Sequence, residues 1–269
     1  MYKLLALLIF IPNLLSAQSL LSIEGGLDIS DFPTDNLQPS DEGVIRFNIK
    51  YKDFEGWNGT HWISLTTGLV RGIVKDIDGN EYETIVIGLQ EWMAENLKSI
   101  RYRNGDLMAI TTDGDDWANL ATGGVSFVNG NSSNSADYGI FYNWFSTVDP
   151  RGICPAGWDV PTDAQWTQLF DFIGGTGSAG IKMKEKGFDH WTNNTVTALE
   201  DSSGFSGRGA GRRSGTGGYV GFGIEAWWWS KTELSTGFAR DIRINGLGSS
   251  VIRSGFDKRD GNSVRCIKL

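Results

Sequence analysis

Glycine sets the first limit on what this chain can build: 36 of its 269 residues are glycine and only 6 are proline. Glycine loses more backbone entropy on ordering than any other residue, and it tolerates the left-handed turns that others avoid. The chain therefore predicts short elements joined by tight turns and long loops, not long helices. The clearest helix covers residues 162–173. Thr162 and Gln165 form a capping box, Trp166, Leu169, Phe170 and Ile173 share one face, and Gly174-Gly175 stop it. A hairpin is expected over 70–87 with its turn at Asp78-Gly79-Asn80. Residues 89–97 fit either a strand or a short helix, and loops are expected over 111–137 and 204–223. Later short strands are expected at 227–230, 239–244, 251–253 and 264–267. One or two helices, short antiparallel strands and long Gly-rich loops make an α+β domain.

The chain divides into three stretches. Residues 1–17 read as a secretory signal: Lys3 is the positive start, Leu4 to Ile11 is an apolar run too short to span a bilayer, and Ser16-Ala17 precede a cut before Gln18. No other stretch is apolar enough for a transmembrane segment, so the protein is expected to be secreted or held at the cell surface. Residues 18–68 read as a polar linker followed by a small β-hairpin module. In 43–65, Ile45, Phe47, Ile49 and Tyr51 alternate with polar residues, Asp53 breaks the run, and Trp57-Asn58-Gly59 makes a turn before Trp62 and Ile63. Residues 69–269 form the main domain.

The net charge of −8 works against nucleic acid and anionic lipid as partners. The 11 tryptophans serve a core or stacking faces for sugars. Only two cysteines occur, Cys154 and Cys266. Outside the cytosol an even pair points to one disulfide, and two buried thiols are the other reading.

Two resemblances add to this. The segment 43–65 resembles a short hairpin repeat of tail-fibre-like and surface proteins, which implies extracellular display and a homotrimer formed through those residues. In the main domain an ordered set of motifs runs through Ile87-Gly88, Glu91-Trp92-Met93-Ala94-Glu95-Asn96-Leu97, Tyr142-Asn143-Trp144, Cys154-Pro155-Ala156-Gly157-Trp158, Trp228-Trp229-Ser230 and Ser263-Val264-Arg265-Cys266-Ile267. This set resembles the Fibrobacter succinogenes major paralogous domain. Asp159 stands where that pattern has His, and Lys231 where it has Ser. The resemblance implies a C-type-lectin-like fold with adjacent termini, in which Cys154 pairs with Cys266. It implies export or surface display and supplies no biochemical role. The related formylglycine-generating enzymes use cysteines close together in sequence, which this chain lacks.

The chemistry-bearing residues fall into a few groups. His61 and His190 are too far apart for a metal or triad spacing. Glu91, Glu95, Asp189 and Glu225 sit beside aromatics, as in a glycosidase, although surface or structural carboxylates are the commoner case. Asp113-Gly114-Asp115-Asp116 offers oxygens to calcium without the full loop pattern, and a solvated loop is the alternative. Gly221-Phe222-Gly223 to Ala226 matches a dinucleotide fingerprint but has no βαβ context. Sequons at Asn58, Asn131 and Asn193 matter only in a glycosylating host. Arg208, Arg212 and Arg213 form a basic cluster suited to an anionic sugar or carboxylate, or to pairing with the acidic surface. In a strand, Trp228 points opposite to Trp227 and Trp229, so at least one is core and one is free to stack on a ligand. The candidate ligand-binding set is thus Trp227, Trp228, Trp229, Arg212 and Arg213, with no catalytic, metal or cofactor residue assigned. The expected function is non-catalytic recognition or adhesion, with a surface glycan or protein as partner. A carbohydrate-active or oxidative-modifying enzyme and a structural surface-assembly protein are the alternatives.

Overall fold

The computed structural model describes residues 44–192 and 201–269. The signal at 1–17, the linker up to residue 43 and the sequon at Asn193 lie outside the described residues.

The chain first lays down six strands in order: β1 (Ile45–Asn48), β2 (Asp53–Trp57), β3 (Trp62–Ser64), β4 (Val70–Lys75), β5 (Glu81–Ile87) and β6 (Gln90–Met93). Each pairs antiparallel with the next. Strand β3 pairs directly with β4, so the N-terminal hairpins extend the sheet of the main domain. Asp53 does not end the strand pattern but opens β2. The break lies before it, where Lys52 takes a positive φ of 51°. Asp53 is buried and accepts hydrogen bonds from Ser64 and from Thr66 Oγ1, which tie the start of β2 to the β3–β4 turn. Residues 89–97 resolve as strand β6 and an extended tail.

The middle of the chain is irregular but not bare loop. It carries β7 (Ala109–Ile110), α1 (Gly114–Ala118), β8 (Gly124–Phe127), α2 (Ser135–Tyr138), β9 (Ile140–Tyr142) and α3 (Trp144–Thr147). Then come β10 (Trp158–Asp159), α4 (Asp163–Phe172) and α5 (Thr176–Met183). The capping box at α4 forms as its sequence predicts. Beyond it, Gly174 and Gly175 take φ of 106° and 84° and turn the chain into α5, which the glycine run had hidden. The rest is β11 (Arg212–Arg213), β12 (Tyr219–Val220), β13 (Glu225–Glu233), β14 (Phe238–Asn245), β15 (Ile252–Asp257) and β16 (Ile267–Lys268).

Strand β16 returns to pair with β6 and β10 and completes an eight-stranded sheet in the order β1-β2-β3-β4-β5-β6-β16-β10. Strands β13, β14 and β15 form a separate antiparallel sheet. The result is mixed and strand-rich, with short helices and open antiparallel sheets. No described helix is long and apolar enough to cross a membrane.

One face of β13–β14 packs on α4. Trp92, Trp166, Phe170, Phe205 and Trp228 meet there, with ring centroids 4.7 Å apart for Trp92–Trp166 and 5.4 Å for Phe205–Trp228. A second core gathers Tyr82, Tyr142, Trp144, Trp158 and Trp229 around the two cysteines. Cys154 and Cys266 are bonded, with Cα atoms 5.9 Å apart and a separation of 112 positions in sequence. The bond fastens the segment before β10 to the strand that closes the large sheet.

Candidate functional site

The tryptophan run lies in β13, and alternation sends its side chains to two faces. Trp228 faces α4 and donates from Nε1 to Asn96 Oδ1 at 2.8 Å. Trp229 donates to the Tyr142 carbonyl at 2.8 Å, and Trp227 to Glu225 Oε2 at 3.2 Å. All three are buried, with exposures of 3%, 0% and 0% in chain order. The expectation of an indole free to stack on a ligand is therefore corrected. The first core covers Trp228, the second covers Trp229, and Phe256 with the guanidiniums of Arg212 and Arg243 covers Trp227.

Arg213 is also corrected, because it is a structural clamp. It is fully buried and donates to the carbonyls of Gly217, Thr111, Thr112 and Asp113 at 2.6–3.1 Å, and to Ser126 Oγ at 2.9 Å. Burial lowers its pKa, but a guanidinium stays charged at neutral pH. The same contacts explain the Asp113–Asp116 loop. Asp113 caps α1 by accepting from the backbone N–H of Asp115 and Asp116 at 2.8 and 3.1 Å. Among the described residues no three acidic, His or Cys side chains converge as a metal site would require.

Arg212, one residue along β11, points the other way. Its guanidinium lies 5.2 Å from the Trp227 ring and 4.8 Å from the Phe256 ring, and it forms a 3.1 Å ion pair with Asp260. Arg243 sits 4.9 Å from the same Trp227 ring and 3.4 Å from Glu225 Oε1. The cause is register: Trp227 pairs with Arg243 across β13–β14, and Asp241 pairs with Ser254 across β14–β15. The structure thus brings together two of the nominated residues, Arg212 and Trp227, and adds Arg243, Phe256, Asp241 and Ser254. Their signal was the polar set Asp241 and Arg243 interleaved with Ile242 and Ile244, a two-faced strand pattern.

This face leaves hydrogen-bonding capacity unused. Arg212 Nε, Arg243 Nε and Asp241 Oδ2 are buried without a partner. Asp241 is fully buried and takes one hydrogen bond, from Ser254 Oγ at 2.9 Å. Burial pushes its carboxyl up to about 6 despite that bond. The arrangement sets two cations over one buried indole, with unpaired donors and one unpaired acceptor beneath them.

The other nominated groups pair among themselves. Arg208 binds Glu185 at 2.7 Å, and Glu185 also meets His190 Nδ1 at 2.5 Å. Glu91 sits between Lys268 at 2.6 Å and His61 at 3.4 Å. Burial would raise its pKa, but hydrogen bonds from Lys268 and Thr84 outweigh burial and hold it low. Glu95 pairs with Lys98 at 3.5 Å. Asp189 is exposed. Gly221 and Gly223 lie in a turn that leads into a strand, not into the helix a phosphate site needs.

A second opening lies on the far side of β13. A cleft of about 320 Å³ is bordered by Arg103, Asp149, Trp158, Asp159 and Lys231. Lys231 and Asp159 form an ion pair across it. These are the two positions at which the chain departs from the resembled pattern, and here the two departures meet each other.

The fold and these surfaces define a disulfide-fastened, strand-rich domain with charged and aromatic faces. Residues 85–268 match the family model described as the Fibrobacter succinogenes major domain, and the chain belongs to that family. No curated protein matches it, and no solved structure does.

Proposed function

We propose that this chain is an exported, non-catalytic recognition module, secreted or displayed at the cell surface, that binds a glycan or the polar surface of a protein. The observation that carries this reading is the face of β13–β15, where Arg212 and Arg243 flank Trp227 and buried polar atoms of both arginines and of Asp241 lack partners. A buried donor or acceptor left without a partner costs about 1–3 kcal/mol. A ligand would reach the partly exposed parts of Arg212, Arg243 and Glu225, and guanidinium forks suit polar oxygen-rich ligands. Glycine-rich loops held by one long-range disulfide supply a rigid frame with variable surroundings.

The fold we assign is C-type-lectin-like. Support comes from the Cys154–Cys266 bond, which joins the segment ahead of α4 to the last strand, and from β16 closing the sheet beside β6 and β10. Self-association through residues 43–65 belongs to the same proposal. Among the described residues strand β1 is one edge of the large sheet, and Ile45 on it and Ile49 in the turn after it are each 56% exposed. A purely monomeric species in analytical ultracentrifugation would remove that part.

The test is a glycan-array screen of the chain from Gln18, run with calcium and then with chelator. Selective binding supports the glycan reading, and loss with chelator adds calcium to the site. A blank array removes the glycan arm and leaves a protein partner to be tested by cross-linking on intact cells.

A further inference from the structure

We propose that the cleft between β10, β13 and the 147–152 loop is a second binding site, separate from the Arg212–Trp227 face, and that it receives a carboxylate group. Arg103 decides it. Its side chain is exposed at the rim, yet it is not free to move. Nε donates to the Cys154 carbonyl at 2.9 Å and Nη2 to the Trp158 carbonyl at 3.0 Å. Both carbonyls belong to the segment that the Cys154–Cys266 bond pins to β16. Gly152 completes the seat. Its φ is 68°, a conformation that favours glycine, and the guanidinium lies against its bare backbone, with Nη2 2.9 Å from where a Cβ would fall.

The guanidinium makes no ion pair among the described residues, although Asp149, Asp159 and Leu269 border the same cleft. Asp149 is engaged by Arg151, with Nε–Oδ1 and Nη2–Oδ2 both at 2.9 Å. Asp159 is engaged by Lys231 and by the Val160 N–H at 2.8 Å. Among the described residues no carboxylate pairs with Arg103, and its Nη1 has no acceptor. A fixed, planar, uncompensated guanidinium on a wall of a cleft is best matched by a carboxylate. Lys231, a third exposed on the facing wall, is a second cation held in reserve by Asp159. The volume of about 320 Å³ is at the small end of ligand sites, enough for one sugar ring or the end of a peptide.

Galacturonate and an N-acetylated dipeptide carry the same carboxylate from two sources. Each is titrated into the protein by calorimetry, beside its own amide. The expected result is that at least one acid binds, its amide does not, and raised salt weakens the binding. The acid that binds identifies the source. Arg103→Gln should lose at least about tenfold in affinity with a melting temperature near that of the parent. Asp159→Asn releases Lys231 and should tighten binding several-fold. Arg212→Gln, which disables the other face, should leave this affinity unchanged. The proposal is overturned if neither acid binds, if acid and amide bind alike, or if Arg103→Gln matches the parent. Should Arg103→Gln fail to fold, unchanged or weaker binding by Asp159→Asn overturns it instead.

Discussion

Lys231 on β13 and Asp159 on β10 form an ion pair that joins two sheets across 72 residues of sequence. Each side chain is about one third exposed, at 33% and 32%. Water screens such a pair, so its net contribution should be below about 1 kcal/mol. Asp159→Asn is predicted to lower the melting temperature by no more than a few degrees, less at high salt. A large loss would mean that the pair is buried and structural, and not a feature of an open cleft.

Adjacent arginines should behave in opposite ways. Arg213 satisfies carbonyls from four residues and a hydroxyl inside the domain. Arg213→Ala leaves those acceptors unpaired and opens a cavity, and should cost roughly 3–5 kcal/mol in denaturant unfolding. Arg212→Gln removes one ion pair at a partly exposed position. It leaves Asp260 buried without its cation and should cost roughly 1–3 kcal/mol, less than Arg213→Ala. Equal losses would contradict the division into one structural and one surface-facing arginine.

The disulfide closes a very long loop, its cysteines standing 112 positions apart. In the chain-entropy model a loop of that size is worth up to about 4.7 kcal/mol. Cys154→Ser should therefore lower thermal stability markedly. Both cysteines are buried, so the freed Cys266 thiol should label only as the protein opens. Full labelling of both thiols in the untreated native protein would refute the bond.

Asp241 gives a pH signature. Its folded-state pKa is raised to about 6 from 3.8 by burial. Between those values the native state holds a proton that the unfolded state has released. Stability from this group is therefore full below about pH 4 and is lost as pH rises through about 6, a change of about 3 kcal/mol. Carboxylates with lowered values, such as Glu91 and Asp149, act oppositely at more acid pH. Asp241→Asn should flatten the pH dependence between about 4 and 6 in urea titrations. An unchanged slope there would place its carboxyl in water.

Local signals were readable in the sequence, and pairings between distant segments were not. Thr162 and Gln165 announce α4 because a capping box is a four-residue event, and Asp78-Gly79 announces the β4–β5 turn for the same reason. Helix α5 escaped because Gly177 and Gly180 mimic loop composition. At Gly180 a Cβ would lie 2.4 Å from the Ser250 carbonyl oxygen, so glycine is there for close packing and not for a turn. Cys154 with Cys266 was legible from compartment and resemblance. The site was half legible. Alternation separated Trp228 from Trp227 and Trp229, but burial of all three depends on what covers each face. Arg212 and Arg213 look alike in sequence, and only the register of β11 on β12 tells them apart. Arg103 carried no signal, because its role comes from carbonyls of Cys154 and Trp158 some fifty residues away, 51 and 55 positions along the chain.

The Arg212–Trp227–Arg243 face is the proposed site of ligand recognition. The most direct measurement compares the parent with the double variant Arg212→Gln, Arg243→Gln on the same glycan array, with melting curves beside it. Selective signals are expected for the parent and their loss in the variant, which should still unfold in one cooperative melt. The same glycans bound equally by the folded variant would contradict it.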